Sequence, residues 1–272
     1  MIKTLRNQIF FVYLHCNYKE RNMVEQLHTL FAAMVNKTNV ETKSPLVRVG
    51  LAVINHTPDI DTSQMPLSSF NVLLSENHEK CRMPVVEFPT TNKDTDIKNS
   101  ITSAIEDFII TESRIDTNLV PALKYIVDEN IDNITEHADT AAGYVCATWD
   151  DNAVTICIAD AGKTIYGSYV DGNFEQISSD QSALQAAISG VSTKNRPGAE
   201  NRGYGISTSA DMIVRGLEST LVILSGRGLL FHNGNRSDFT ELPEAVFMPG
   251  TLVSFTIPTH KEGFNLYNYI GG

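Results

Sequence analysis

The distribution of apolar positions over residues 1–95 predicts a small α/β unit. A continuous apolar run predicts a buried strand at residues 8–14, and apolar side chains that recur every three or four positions predict a helix at residues 19–36. Short runs rich in β-branched and aromatic residues predict three further strands, at residues 47–54, 70–74 and 83–88. Nothing in this unit predicts a catalytic site.

A polar stretch at residues 90–96 separates this unit from the rest of the chain. All seven of its residues are Thr, Asn, Lys or Asp, which is a composition typical of a linker. We therefore expect two domains, an N-terminal α/β domain of residues 1–95 and a second domain of residues 96–272.

The pattern of the second half is that of helices followed by an antiparallel sheet. Helical periodicity predicts helices at residues 98–111, 116–137, 180–189 and 204–215. Asp116, Thr117 or Asn118 can cap the second helix, and Pro121 fits its first turn. Strands are predicted at residues 143–149, 154–159, 220–225, 228–232 and 251–257, the first two as a hairpin. This order predicts an α+β fold, a two-layer α/β sandwich rather than a doubly wound sheet.

The charge balance excludes one class of function. The chain has 272 residues, with 32 Asp and Glu against 21 Lys and Arg, a formal net charge of -11. An acidic chain repels polyphosphate at long range, which argues against a protein that covers nucleic acid without reading its sequence. Any phosphate ligand must therefore be held by a local arrangement of residues.

The cysteine positions and the N-terminus favour a cytoplasmic protein. Cys16, Cys81, Cys146 and Cys157 are widely spaced and form no C-x-x-C pair, which is typical of a reducing compartment. The apolar run at residues 9–14 is too short for a signal peptide, and no stretch approaches the length that spans a bilayer.

A polar stripe lies on the helix predicted to end at His137. Glu129, Asn133 and His137 recur every four residues, so they share one face while the apolar residues occupy the other. Such a stripe is typical of a solvent-exposed helix face, and it is also the arrangement that would face a ligand.

The strand predicted at residues 154–159 is followed by Asp160 and then by Gly162. A carboxylate at a strand end accepts hydrogen bonds from an exocyclic amine, and a residue without a side chain lets a ring lie close to the backbone. This pair predicts a site for a flat heterocycle. Thr251, which follows Gly250 at the start of the last strand, would add a hydroxyl beside the carboxylate.

Two glycines mark a turn that suits phosphate. Gly203 and Gly205 lie where a loop becomes a helix, and the unpaired N–H groups at a helix start favour anions. The preceding loop carries Lys194, Arg196 and Arg202 against a single acidic residue. The local charge is therefore positive in an otherwise acidic chain.

Taken in order, these segments resemble the GHKL superfamily of ATP-binding domains, the histidine-kinase-like ATPases with the Bergerat fold. The resemblance covers residues 98–258. Residues 129–133 are similar to the N box of the family, residues 160–165 to its first glycine box, residues 203–205 to its second, and residues 250–251 to its final glycine-threonine element.

The resemblance implies a role for each motif residue. Asn133 would coordinate the Mg²⁺ that bridges the ATP phosphates, Asp160 would bind the adenine amino group, and Gly162 would let the ring lie close. Gly203 and Gly205 would hold phosphate.

Neighbouring residues are implied as cofactor-binding as well. Ile165, Tyr204 and Thr251 would contact the nucleotide, and Lys194 or Arg202 would reach its γ-phosphate.

Two residues of the polar stripe bear on the branch of the family. Glu129 is similar to the glutamate that acts as general base in the gyrase-like and anti-sigma-kinase-like branches, where it activates water or a serine hydroxyl. His137 lies where anti-sigma-factor kinases often have a histidine. A histidine at a helix C-terminus also interacts with the helix dipole, so both interpretations stay open.

One position departs from the family pattern. The first glycine box usually reads D-x-G-x-G, and Thr164 replaces its second glycine. A β-branched residue disfavours positive φ, so we expect strain at Thr164 that reduces affinity or the motion of the lid. That lid would be residues 166–199, with a helix near residues 183–187 that closes on ATP or is disordered without it.

We expect an Mg²⁺-ATP-binding bacterial protein that acts as a regulatory serine/threonine kinase of the anti-sigma type or as an ATPase. The alternative is a non-catalytic, nucleotide-gated protein-interaction module, which Thr164 favours, whereas Glu129 favours the enzyme. A domain that binds no nucleotide is a third option. The expected partners are ATP, Mg²⁺ and a regulatory protein or protein substrate. The chain could also form a homodimer, and we expect it to bind neither nucleic acid nor a membrane. Residues 1–95 would be a partner-binding or regulatory module.

Overall fold

A mixed sheet of eight strands forms the centre of the described chain. The computed structural model describes residues 18–63, 65–77, 81–90, 95–191, 205–234 and 236–270. The strands are β1 (Ile60–Asp61), β2 (Val86–Pro89), β3 (Ala142–Trp149), β4 (Ala153–Asp160), β5 (Thr220–Gly226), β6 (Gly228–Asn233), β7 (Arg236–Glu241) and β8 (Met248–Pro258). They lie in the order β1-β2-β3-β4-β8-β5-β6-β7, with β1 parallel to β2 and the other neighbours antiparallel.

Helices cover both faces of this sheet. They are α1 (Tyr18–Asn36), α2 (Pro45–Asn55), α3 (Leu67–Asn77), α4 (Thr95–Ser113), α5 (Val120–His137), α6 (Ile165–Asp171), α7 (Asp180–Ile188), α8 (Gly205–Asp211) and α9 (Tyr267–Ile270), and a π-helical turn, Met212–Gly216, follows α8. The periodic helices α1, α4, α5 and α7 and the β3–β4 hairpin confirm the corresponding sequence predictions within a few residues.

The first face of the sheet carries the larger core. Helix α5 buries Leu123, Ile126 and Val127, which are spaced so that they lie on one side of the helix. They belong to the same cluster as Ile156 and Ile158, whose side chains alternate along β4 with residues that face the other side of the sheet. Burial of this stripe leaves the polar stripe of α5 on another side of the helix.

The second face of the sheet is covered by α1 and α2. Leu27 on α1 and Val49 on α2 are buried in a cluster with Cys157 of β4, Val222 of β5 and Leu252 of β8. Since these three strand residues alternate with those of the first face, the centre of the sheet is buried on both sides. The α+β class and the layered packing are confirmed, and the predicted two layers are corrected to three.

Two of the strands predicted in the N-terminal part are wrong. Residues 47–54 and 70–74 lie in helices α2 and α3. Ser44 caps α2, because its side chain accepts a hydrogen bond from the N–H of Val47 at 3.3 Å, and Pro45 occupies the first turn. The strand predicted at residues 8–14 lies outside the described residues.

The strand predicted at residues 83–88 is present as β2, although it begins later. Val86 of β2 pairs with Val145 of β3, so the sheet continues from the N-terminal part into the second half. Residues on both sides of the boundary predicted at 95 and 96 therefore contribute to one sheet.

Two further features differ from the expectation. Strand β7 is not predicted, because its sequence is polar and it lies at the edge of the sheet. Helix α5 has Leu119 as its N-cap, without a side-chain hydrogen bond, instead of a polar residue at 116–118, while Pro121 lies in the first turn as expected.

None of the helices within the described ranges is long and apolar enough to cross a membrane.

A buried carboxyl group lies between α4 and α5. Glu106 is 3% exposed, and its Oε1 has no hydrogen-bond partner among the described residues. Lys124 Nζ lies 3.7 Å from its Oε2. Burial and the nearby Asp128 raise the pKa of Glu106 to about 8, although Lys124 lowers it. This group therefore carries a proton at neutral pH.

We expect the free energy of unfolding to fall as the pH rises from about 5 to about 9. The folded chain holds a proton on Glu106 that the unfolded chain releases near the ordinary glutamate pKa of 4.5, so the native state loses stability until the pH passes about 8. The loss should be on the order of 3 kcal/mol, and Asp160 should add to it below about pH 7. Urea unfolding across this pH range measures it.

The variant Glu106→Gln should lose most of the dependence on pH between about pH 7 and 9, while the part due to Asp160 remains below about pH 7. Glu112→Gln, at an exposed position of the same helix, serves as the control and should keep the wild-type slope. An unchanged slope in Glu106→Gln would contradict this account of the α4–α5 interface.

Candidate functional site

A cavity opens between helix α5 and the ends of strands β4 and β8, with α6, the end of α7 and the first turn of α8 as its other walls. It holds about 850 Å³ of empty space, part of which is open to solvent. The lining residues are Asn130, Asn133, Ile134, His137, Ala138, Ile158, Asp160, Lys163, Ile165, Ser168, Tyr169, Ala187, Val191, Gly205, Ile206, Thr251 and Val253.

The structure brings together most of the described residues that the sequence singles out. Those that line the cavity are Asn133, Asp160, Ile165, Gly205 and Thr251, together with His137 of the polar stripe. Glu129 and Gly162 do not line it but contact its wall. The other residues predicted for the site lie outside the described residues; they are Lys194, Arg202, Gly203 and Tyr204.

Asp160 is the buried charge of the cavity. It ends β4 and is 2% exposed. Its Oδ1 accepts a hydrogen bond from the N–H of Gly162 at 2.8 Å. Burial raises the pKa of Asp160 to about 7, although the N–H groups of Gly162 and Thr251 lower it. A ligand that donates a hydrogen bond to this carboxyl would favour the ionised form, because it stabilises the charge.

Gly162 is explained by a close contact with the end of α5. A Cβ at this position would lie 2.0 Å from the carbonyl oxygen of Ala138, which also accepts a hydrogen bond from the N–H of Lys163 at 2.6 Å. The sequence attributes this glycine to the approach of a ring, whereas the structure shows that the chain itself fills the space.

Gly250 makes room for Asp160. Its φ is +78°, and a Cβ at this position would lie 2.4 Å from Asp160 Oδ1. Only glycine combines this conformation with such a short approach. The backbone conformation at Gly250, within the first residues of β8, therefore brings the backbone of Thr251 to the carboxylate.

The strain predicted at Thr164 is wrong. The φ of Thr164 is −70°, in the extended region that suits any residue. Its Oγ1 accepts a hydrogen bond from the N–H of Gly167 at 3.0 Å and so caps the start of α6. Threonine therefore stabilises this wall of the cavity, and the position gives no reason to expect reduced affinity.

Ser225 connects three parts of the wall. Its Oγ accepts a hydrogen bond from the N–H of Ile165 at 2.8 Å and lies 2.9 Å from Thr251 Oγ1 and 3.2 Å from the carbonyl oxygen of Gly250. Sequence reasoning assigns no role to Ser225, since these partners are 25 to 60 residues away along the chain.

The carboxylate of Glu129 lies against the start of α8. A Cβ on Gly205 would lie 2.1 Å from Glu129 Oε2 and 3.8 Å from Asn133 Nδ2, so glycine leaves the space that these side chains occupy. Tyr125, one turn earlier on α5, is hydrogen-bonded to Glu129 and to Thr208 of α8. The general base implied by the resemblance is thus held in a defined place beside Asn133.

Lys163 lies at the edge of the cavity between two carboxylates. Its Nζ is 2.7 Å from Asp171 and 3.4 Å from Asp139. The hydrogen bonds to Asp171 and Asp139 raise the pKa of Lys163. These ion pairs connect α6 with the turn after α5 on the surface of the molecule.

The described part of the predicted lid forms a wall of the cavity and is hydrogen-bonded to neighbouring strands. The N–H of Gln181, at the start of α7, donates to Glu241 Oε2 at 2.8 Å, and the N–H of Arg227 donates to Asp180 Oδ2 at 3.1 Å. The side chain of Gln181 also donates to the carbonyl oxygen of Phe239 at 3.1 Å. Helix α7 is therefore attached to β7 and to the β5–β6 turn.

The arrangement suits a flat, partly polar ligand. Apolar side chains from α5, β4, β8 and α6 line the cavity together with the buried carboxyl of Asp160, and Lys163 lies at its edge. No group of three or more His, Cys, Asp or Glu side chains in the described ranges is placed to hold a metal ion. Any metal at this site would therefore depend on oxygen atoms of a ligand together with an oxygen such as the Asn133 amide.

Comparison of the chain with protein-family models, with curated proteins and with solved structures finds no match. The geometry of the cavity is therefore the ground for a proposal on function.

We expect Gly162→Ala to lower the free energy of unfolding by about 2 kcal/mol, because the new methyl group would collide with the backbone carbonyl of Ala138. Gly167→Ala is the matched control. Gly167 lies in α6, and a Cβ there would meet nothing closer than 3.5 Å, so alanine should stabilise the helix slightly. Urea unfolding compares both variants with the wild type, and equal stabilities of the two would contradict the close contact.

Proposed function

We propose that the chain binds Mg²⁺-ATP in this cavity and acts as a histidine-kinase-like ATPase of the Bergerat type, either as a regulatory serine/threonine kinase or as an ATPase. The observation that carries the proposal is the buried carboxylate of Asp160, which lines the same cavity as Asn133 and several apolar side chains. A protein substrate or regulatory partner and a cytoplasmic location, both implied by the resemblance, are part of the proposal.

The cavity is suited to an adenine ring. Ile134, Ile158 and Val253 offer apolar contacts to the ring faces, and the carboxylate accepts a hydrogen bond from the exocyclic amino group. Burying a carboxylate without a partner is costly. The ligand amine would therefore complete a site that the protein alone leaves only partly satisfied by the N–H groups of Gly162 and Thr251.

The triphosphate would extend towards Asn133 and Gly205. Both residues line the same cavity as Asp160, and they are near each other, since a Cβ on Gly205 would lie 3.8 Å from Asn133 Nδ2. The Asn133 amide oxygen is a hard ligand of the kind that Mg²⁺ accepts, and Mg²⁺ usually completes its shell with phosphate oxygens and water. When bound, the ion would neutralise negative charge on the phosphates.

Glu129 is the residue to which we assign general-base catalysis. It precedes Asn133 by one helical turn, and its carboxylate is held between Tyr125 and Gly205. From there it would accept the proton of the attacking hydroxyl, which belongs to water in an ATPase and to a serine or threonine in a kinase.

Asp160→Asn is expected to weaken ATP binding by at least about 30-fold at pH 8, because the amide presents one acceptor fewer and no charge to the amino group. Wild-type affinity should decrease as the pH falls below about 7, where the carboxyl becomes protonated, and the variant should lack this dependence. Isothermal titration with Mg-ATP at several pH values measures both effects.

Asp151→Asn serves as the control, since Asp151 is exposed and lies in the turn at the other end of β4. It should bind like the wild type. Equal affinities of wild type and Asp160→Asn would rule out recognition of the base by this carboxylate.

Glu129→Gln should lower the rate of γ-phosphate release or transfer by a factor of about 100 or more, while ATP affinity changes by less than about threefold. The amide has a similar shape but cannot take up the proton. A phosphate-release assay and a transfer assay measure turnover, and titration measures binding. ATP binding without turnover in the wild type would contradict the catalytic role and support the nucleotide-gated interaction module instead.

A further inference from the structure

Ser225 lies behind the cavity, at the point where three elements meet. It is 1% exposed and ends the regular part of β5, where the pairing with β8 shifts between Ser225 and Gly226. Its side chain does not line the cavity, so any effect on a ligand must act through a neighbour.

The hydrogen bonds of Ser225 determine where its proton lies. The N–H of Ile165 can only donate, and the carbonyl oxygen of Gly250 can only accept; both are within bonding distance of Ser225 Oγ, at 2.8 Å and 3.2 Å. A serine hydroxyl has one proton and two lone pairs. The arrangement in which all of its close polar contacts are hydrogen bonds gives its proton to Gly250 and one lone pair to Ile165.

The remaining bond determines the orientation of the Thr251 hydroxyl. Thr251 Oγ1 lies 2.9 Å from Ser225 Oγ, and the free position on the serine oxygen is a lone pair. In the arrangement that makes a hydrogen bond of every contact, Thr251 is the donor and its proton is directed at Ser225. The lone pairs of Thr251 Oγ1 then remain for a ligand, since Thr251 lines the cavity.

The polar end of the cavity consequently contains two acceptors. The ionised carboxylate of Asp160 accepts, and Thr251, whose backbone N–H already donates to Asp160, offers only its hydroxyl lone pairs. An exocyclic amino group has two N–H donors and can satisfy both acceptors. An exocyclic carbonyl oxygen is itself an acceptor, so it could form a hydrogen bond with neither of them.

We propose that Ser225 is a specificity-determining positioning residue, which holds the Thr251 hydroxyl as an acceptor and so makes the cavity select purine nucleotides with a 6-amino group over those with a 6-oxo group. This inference rests on the proposed function, since it concerns the base of the nucleotide proposed to bind here. Without Ser225, the Thr251 hydroxyl could rotate and donate to an oxo group.

The test compares the affinities for ATP and inosine triphosphate in the wild type and in Ser225→Ala. The wild type should bind ATP more tightly than inosine triphosphate. We expect this preference, expressed as the ratio of the two affinities, to decrease by about fivefold or more in the variant, which corresponds to one altered hydrogen bond. Ser254→Ala is the control, because Ser254 is a fully buried serine of β8 outside the cavity, and its ratio should stay at the wild-type value.

A double-mutant cycle with Thr251→Val separates this role from a general loss of structure. If Ser225 acts through Thr251, the variant Thr251→Val should show a reduced preference for ATP over inosine triphosphate. Adding Ser225→Ala to Thr251→Val should then change the ratio of the two affinities by less than about twofold. Urea unfolding of each variant checks that the fold is retained.

The outcomes distinguish the two proposals. A wild-type protein that binds neither nucleotide overturns the proposed function and this inference with it. A wild type that binds ATP, together with an unchanged ratio in Ser225→Ala or with additive effects in the double variant, overturns the role of Ser225 and leaves the proposed function standing.

Discussion

The candidate site depends above all on the burial of a single carboxylate among apolar side chains. Such a group is stable only if hydrogen bonds replace the lost water, and Asp160 receives them from the backbone of Gly162 and Thr251. Both donors are in place because the chain turns tightly after β4 and because β8 passes close to the carboxylate at Gly250. Glycine at 162 and at 250 permits these close approaches, since a side chain at either position would collide with the backbone or with the carboxylate. The shape of the cavity end follows from that requirement.

The parts of the fold that the sequence predicts are those with a local cause. Helix α5 has a clear period and a proline in its first turn, and the β3–β4 hairpin has a polar turn between two apolar runs. Residues 47–54 and 70–74 are wrongly assigned to strands, because short apolar runs of buried helices lack a distinguishing period. For α2 the Ser44 cap and Pro45 were the better signal. Strand β7 is polar, so only its pairing with β6 makes it a strand.

The candidate site shows the same division between local and distant causes. Asp160 and Thr251 could be predicted, since each follows from a short segment at a strand end, and the structure places both at one cavity. The contacts of Ser225 and Tyr125 could not, because their partners come from other elements of the fold. Thr164 gives the opposite lesson: comparison with a family motif predicts a strained hinge, but the residue is an ordinary helix cap.

The third layer changes how the chain can be divided. Strands β4 and β8 have Cys157 and Leu252 under the N-terminal helices, while their neighbours Ile158 and Val253 face the cavity. A fragment that starts at residue 96 would leave the far side of these strands uncovered, and a sheet exposed in this way tends to associate with other molecules. Solubility and the shape of the binding cavity are therefore properties of the longer chain, and α1 and α2 belong to the smallest piece worth producing for binding studies.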